Sequence, residues 1–116
     1  MTTLRHWGLG MAAVLLVAGC ASSPGSIAPL AVNPERYAPL DCRALLTEQL
    51  RVSEALRTAS DRQAEAARGD AIGVLLIGLP VSSMSGQDNA VAVAQLKGES
   101  DALRLAVTAK ACGAAR

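Results

Sequence analysis

The chain has no phenylalanine, and Trp7 and Tyr37 are its only aromatic residues. Sheet proteins draw on aromatic and β-branched side chains, so this shortage argues against a sheet and against a thick core. There is one histidine, His6, so imidazole chemistry has a single possible source. Charge of one sign is also lacking: 11 basic residues face 10 acidic ones, which excludes the basic field that attracts nucleic acid. The longest apolar stretch, near the start, falls well short of the about 20 residues that cross a bilayer. What the 116 residues do contain is alanine, within a hydrophobic share of 51%. Alanine favours helix and buries little surface, so the expected fold is one small all-α domain with thin packing.

Arg5 and His6 precede the apolar run "GLGMAAVLLVA", which ends in small residues, and residues 1–19 read as a cleaved signal peptide. The run closes on Val17-Ala18-Gly19-Cys20, which resembles the lipobox of bacterial lipoproteins. That resemblance implies a diacylglyceryl group on the sulfur of Cys20, cleavage that makes Cys20 the new N-terminus, and an oxidising periplasmic compartment. Two or more acyl chains hold a protein firmly where one does so only marginally. The next residue is Ala21 and not aspartate, which by the same resemblance points to the periplasmic face of the outer membrane.

Residues 20–41 form the expected lipidated N-terminus and tether. Pro24, Pro29, Pro34 and Pro39 remove backbone donors and push their predecessors towards extended structure. Fully stretched, the segment reaches on the order of 60 Å. Tyr37 is expected to lay its ring against the domain edge.

From Asp41, a plausible N-cap, the texture turns helical. Leu45, Val52, Leu56 and Ala59 recur at helical spacing, and Leu46 and Leu50 are expected to widen that face. Glu48 with Arg51, and Glu54 with Arg57, mark the solvated side. A second helix is expected from Asp88 to Cys112, with Val93, Leu96, Leu103 and Val107 as its stripe. Ser85 and Asp88 could start it, Gly113 could close it, and Gly98 marks a weak point or a close approach by the partner helix. If Cys42 and Cys112 pair, the halfway residue is Ile77, beside the break signals Gly78 and Pro80. The expectation is therefore an antiparallel two-helix hairpin over 42–112, closed by a disulfide, with an apolar turn near 71–87 and a tail at 113–116. A structural bridge suits an oxidising space, and these cysteines lack the C-x-x-C spacing of a redox pair.

Two blocks, "AVNPERYAPLDC" at 31–42 and "QLKGESDALRLAVTAKAC" at 95–112, resemble blocks of small uncharacterised envelope lipoproteins of Proteobacteria. The shared pattern is lipobox, Pro/Tyr spacer, Cys, helix, apolar turn and a C-terminal LKGE..AL..A...K.C block. The resemblance implies a lipid-anchored envelope protein with a helical hairpin; it supplies no reaction, ligand or partner.

Cleavage at Cys20 removes His6, and with acylated Cys20 and bridged Cys42 and Cys112 no imidazole base or thiolate nucleophile is left. Ser82, Ser83 and Ser85 read as a flexible loop. Asp61, Glu65 and Asp70 alternate with Arg62 and Arg68 and read as a solvated face. No enzyme activity, cofactor or metal site is expected. The one functional lead is "AIGVLLIGLPV" at 71–81, with Val74, Leu75, Leu76, Ile77 and Leu79 as an interaction tip. This tip could bury itself against Val91 and Ala92, dock an envelope protein, or enter a bilayer partially. The expected role is a non-catalytic structural or interaction module, held to the membrane through lipid at Cys20; the alternative is a membrane-active hairpin.

Overall fold

A computed structural model describes residues 20–113. The expected signal peptide, residues 1–19, and residues 114–116 of the expected tail lie outside the described residues. Among the described residues three α-helices follow one another: α1 over Cys42–Ile77, α2 over Val81–Met84 and α3 over Ala90–Ala109. Short 3-10 turns at Pro24–Ser26 and Pro34–Tyr37 precede them, and the described residues include no strand.

The N-terminus of α1 is capped as its sequence predicts, with Asp41 Oδ1 accepting from Ala44 N at 2.8 Å. At the other end Gly78, at φ 76°, donates its N–H to the Val74 carbonyl and stops the helix. The bend thus falls beside Ile77. A disulfide joins Cys42 to Cys112 with 5.4 Å between Cα atoms, bringing the start of α1 to the end of α3. The side chain of Gln63, midway along α1, accepts from the N–H of Asn89 at the start of α3, so the two helices run in opposite directions.

Three helices replace the expected two. The stretch 71–87 is not a turn throughout: α1 continues to Ile77, and α2 then folds back on it. A Cβ on Gly73 would overlap the Leu79 carbonyl oxygen, so glycine there admits the returning chain. Ser85 closes α2 through its Oγ, donating to the Val81 and Ser82 carbonyls, and does not start α3. Asn89 stands at the cap of α3, while Asp88 Oδ1 accepts from Ala90 N. At the far end the chain leaves α3 at Ala109, and Ala111, at φ 49°, swings Cys112 towards Cys42.

The core is narrow. Leu45, Val52, Ala102, Leu103 and Ala106 are buried together with Tyr37, and Val32, Leu40, Leu96 and Val107 pack around them. Leu46 and Leu50 remain exposed and do not widen the α1 face, because one slender helix covers only a single stripe of another.

The segment expected to be a free spacer is docked instead. Its prolines do exclude an α-helix, yet residues 21–40 lie along the hairpin. Ala21 is buried beside Asp70, Leu30 N donates to the Ala94 carbonyl at 2.9 Å, and Tyr37 is buried beside the disulfide end. The physical reason is the thin helix pair: a third layer is needed to shield its groove.

Candidate functional site

Two buried polar side chains on α1 grip the first described residues. Asp70 has no exposed surface. Its Oδ2 accepts from Ala21 N at 2.6 Å and from Ser83 Oγ at 2.5 Å, and its Oδ1 accepts from Ser83 N at 2.9 Å. Burial opposes ionisation, but the Ser83 hydroxyl and the backbone N–H groups of Ala21, Ser83 and Ser82 hold this carboxyl below its ordinary value of 3.8. Gln63 is equally buried; its Nε2 donates to the Ser22 carbonyl at 2.9 Å while its Oε1 takes the Asn89 N–H. Buried polar groups need partners, and these have them.

Further along, the "LKGE" stretch of α3 holds the same segment. Leu96 packs against the core cluster. Lys97 Nζ donates to the Pro24 and Ile27 carbonyls at 2.6 and 2.7 Å. A Cβ on Gly98 would overlap the Leu30 carbonyl oxygen, so the close approach foreseen at Gly98 comes from the N-terminal segment and not from the partner helix. Glu99 is buried, takes a hydrogen bond from Gln95 Nε2 at 3.1 Å and faces Arg36 at 3.9 Å. Near the disulfide, Lys110 Nζ donates to the Ala38 and Leu40 carbonyls. A shallow cleft of about 400 Å³ opens there between Pro34, Ala38, Leu105 and Ala106, but the carbonyls already occupy its lysine.

These contacts order the segment along the rod. Tyr37 lies at the disulfide end, Leu30 midway, Ser22 at Gln63 and Ala21 at Asp70. From Ser22 to Ala21 the backbone therefore steps towards the apolar end of α1, and Cys20, the next residue, is partly exposed and free of a disulfide.

That end is open to solvent. Leu75 is 84% exposed, Leu76 74% and Ile77 64%, and Val74 and Leu79 are exposed as well. Ile72, Val81 and Met84 extend the patch. The tip does not bury itself against Val91 and Ala92, which are themselves exposed. The reason is length: α3 begins opposite Gln63, so nothing from it reaches the last turns of α1.

Two further expectations need correction. Asp70 does not belong to the solvated face that Asp61 and Glu65 share, and Ser82 and Ser83 are not a loose loop, since Ser82 is buried and Ser83 is tied to Asp70. Sequence reasoning missed Gln63, Asp70 and Lys97 as functional positions. A signal for the first two existed: Leu56, Gln63 and Asp70 are seven apart, so both polar residues continue the row of half-buried Leu56. Among the described residues no group of three His, Cys, Asp or Glu side chains could hold a metal ion, and no helix is long and apolar enough to cross a membrane.

No family model, no curated protein and no solved structure matches the chain.

Proposed function

We propose that the protein is a lipid-anchored component of a bacterial envelope, held through acyl chains on Cys20 at the periplasm-facing side of the outer membrane, where it serves as a non-catalytic structural or interaction module. The observation that carries this reading is the join at Cys20. Cys20 is partly exposed and makes no disulfide, and the residue after it is buried and fastened by Asp70. An anchor placed there is mechanically continuous with the rod. The quartet Val17-Ala18-Gly19-Cys20 supports processing at that site, and the Cys42–Cys112 bridge suits an oxidising space. Gln63, Asp70, Lys97 and Lys110 are engaged in holding the chain together, which supports a scaffold in preference to a catalyst.

Metabolic labelling with radioactive palmitate tests the anchor. The protein should carry label and fractionate with membranes, and Cys20→Ala should lose both. Label that survives Cys20→Ala overturns the reading.

A further inference from the structure

We propose that the exposed apolar end of α1 and α2 is a membrane-contacting surface, inserted into the same leaflet that holds the acyl chains on Cys20. This deepens the anchoring reading and rests on it.

The first argument is position. Gln63 and Asp70 fasten Ser22 and Ala21 in that order, so the backbone is travelling towards the apolar end when it reaches Cys20. A flexible linker would leave the tip free to face anywhere. A docked one, with Ala21 against Asp70 and Leu30 against Ala94, leaves the anchor and the tip at one end of one body.

The second is depth. From Asp70 to the last residue of α1 is seven residues, or about 10 Å at 1.5 Å per residue. Interfacial elements bury their apolar faces by roughly 5–10 Å, while crossing the hydrocarbon takes about 30 Å. With Cys20 at the headgroup level, the tip reaches the upper acyl chains and no further. The cap agrees with a shallow seat: beyond the Val74 carbonyl, the last carbonyls of α1 receive no hydrogen bond among the described residues and need the wet interface.

The third is charge. Residues 71–87 contain no acidic or basic side chain, so insertion of the tip desolvates no ion. The nearest cation, Arg68, is exposed and lies two residues before Asp70, at the level where lipid phosphates would stand.

The test uses the acylated protein purified from membranes and reconstituted in vesicles of phosphatidylethanolamine and phosphatidylglycerol with brominated acyl chains. Processing removes Trp7, so Leu76→Trp becomes the only tryptophan, with Leu75→Trp as a second reporter. Both positions are largely exposed, so neither substitution disturbs packing. Leu50→Trp, exposed near the disulfide end, is the control. The tip reporters should shift to the blue and lose at least half their intensity to bromine, and the control should be unchanged. Mass spectrometry of the N-terminal peptide separates the two ways of failing. If Cys20 is acylated and the tip reporters emit as in water, the membrane-contact proposal is wrong and the anchor stands, leaving the tip for a protein partner. If Cys20 carries no lipid, the anchoring reading fails and this proposal falls with it.

Discussion

Gly98→Ala separates a docked N-terminal segment from a free one by the sign of its effect. Inside an exposed helix, replacing glycine with alanine gains about 0.8–1 kcal/mol. If residues 21–40 were a loose spacer, that gain would appear as added stability. In the structure a Cβ at this position overlaps the Leu30 carbonyl oxygen, and the backbone there has no slack. Leu30 N is hydrogen-bonded to the Ala94 carbonyl at 2.9 Å, one turn before Gly98, and Lys97 holds the Pro24 and Ile27 carbonyls. Relieving the overlap means moving backbone, at about 1–3 kcal/mol, and weakening the Leu30–Ala94 bond adds about 1 kcal/mol. After the propensity gain, the expected net loss is about 1–3 kcal/mol. In a domain of this size each kcal/mol moves Tm by roughly 4–8 °C. Denaturant unfolding of the oxidised protein measures the loss, and limited proteolysis between residues 24 and 32 should accelerate in the variant. A variant more stable than the parent, with unchanged proteolysis, refutes the docked segment.

Asp70→Asn should destabilise by about 2–4 kcal/mol, because an amide cannot accept from Ala21 N, Ser83 N and Ser83 Oγ together, and a buried donor is left unpaired. The carboxyl is held below 3.8 in the native state, so its contribution is present above that pH and is lost as pH falls through the lowered native value. Stability of the parent should therefore drop in that acid window, and the Asp70→Asn curve should be flatter across it; parallel curves count against the clasp. The double variant Cys42→Ser, Cys112→Ser opens a loop whose ends are 70 residues apart, at a cost of about 4 kcal/mol in the chain-entropy model, read as a lower denaturation midpoint under non-reducing conditions. An unchanged midpoint would mean that the bridge closes nothing.

The parts of the fold legible in the sequence were those governed by local chemistry. Asp41 as a cap, Gly78 as a stop and the two cysteines equidistant from Ile77 each act through neighbours or a simple chain length. The illegible parts depend on what lies opposite. Asp70 sits among alternating charges, which outweigh the hint of its seven-residue spacing from Gln63; it is buried because Ala21, far away in sequence, and Ser83 cover it. Leu50 has the right spacing for the core and is exposed because the partner helix is too slender to reach it. Prolines describe the backbone of residues 21–40 correctly but are silent on whether that backbone is free or docked. That question is answered from α3, by Lys97 and the missing side chain of Gly98.

Docking this segment has a thermodynamic cost that constrains its purpose. Fixing the backbone of residues 21–40 costs roughly 1–2 kcal/mol per residue in conformational entropy. Against this stand the buried Tyr37 ring, the Leu30–Ala94 bond and the Asp70, Gln63, Lys97 and Lys110 contacts. A leash needs none of them: left loose, the same residues would reach on the order of 60 Å and give the hairpin free choice of direction. On the proposed anchoring, the docked arrangement removes that choice. The height of the protein above its membrane is then set by α1, about 42 Å over the 28 residue steps from Cys42 to Asp70, with the disulfide-closed end held outermost. Distance to a partner and orientation towards it become properties of one rigid body, which is what a spacer between membrane and partner requires and a tether cannot supply.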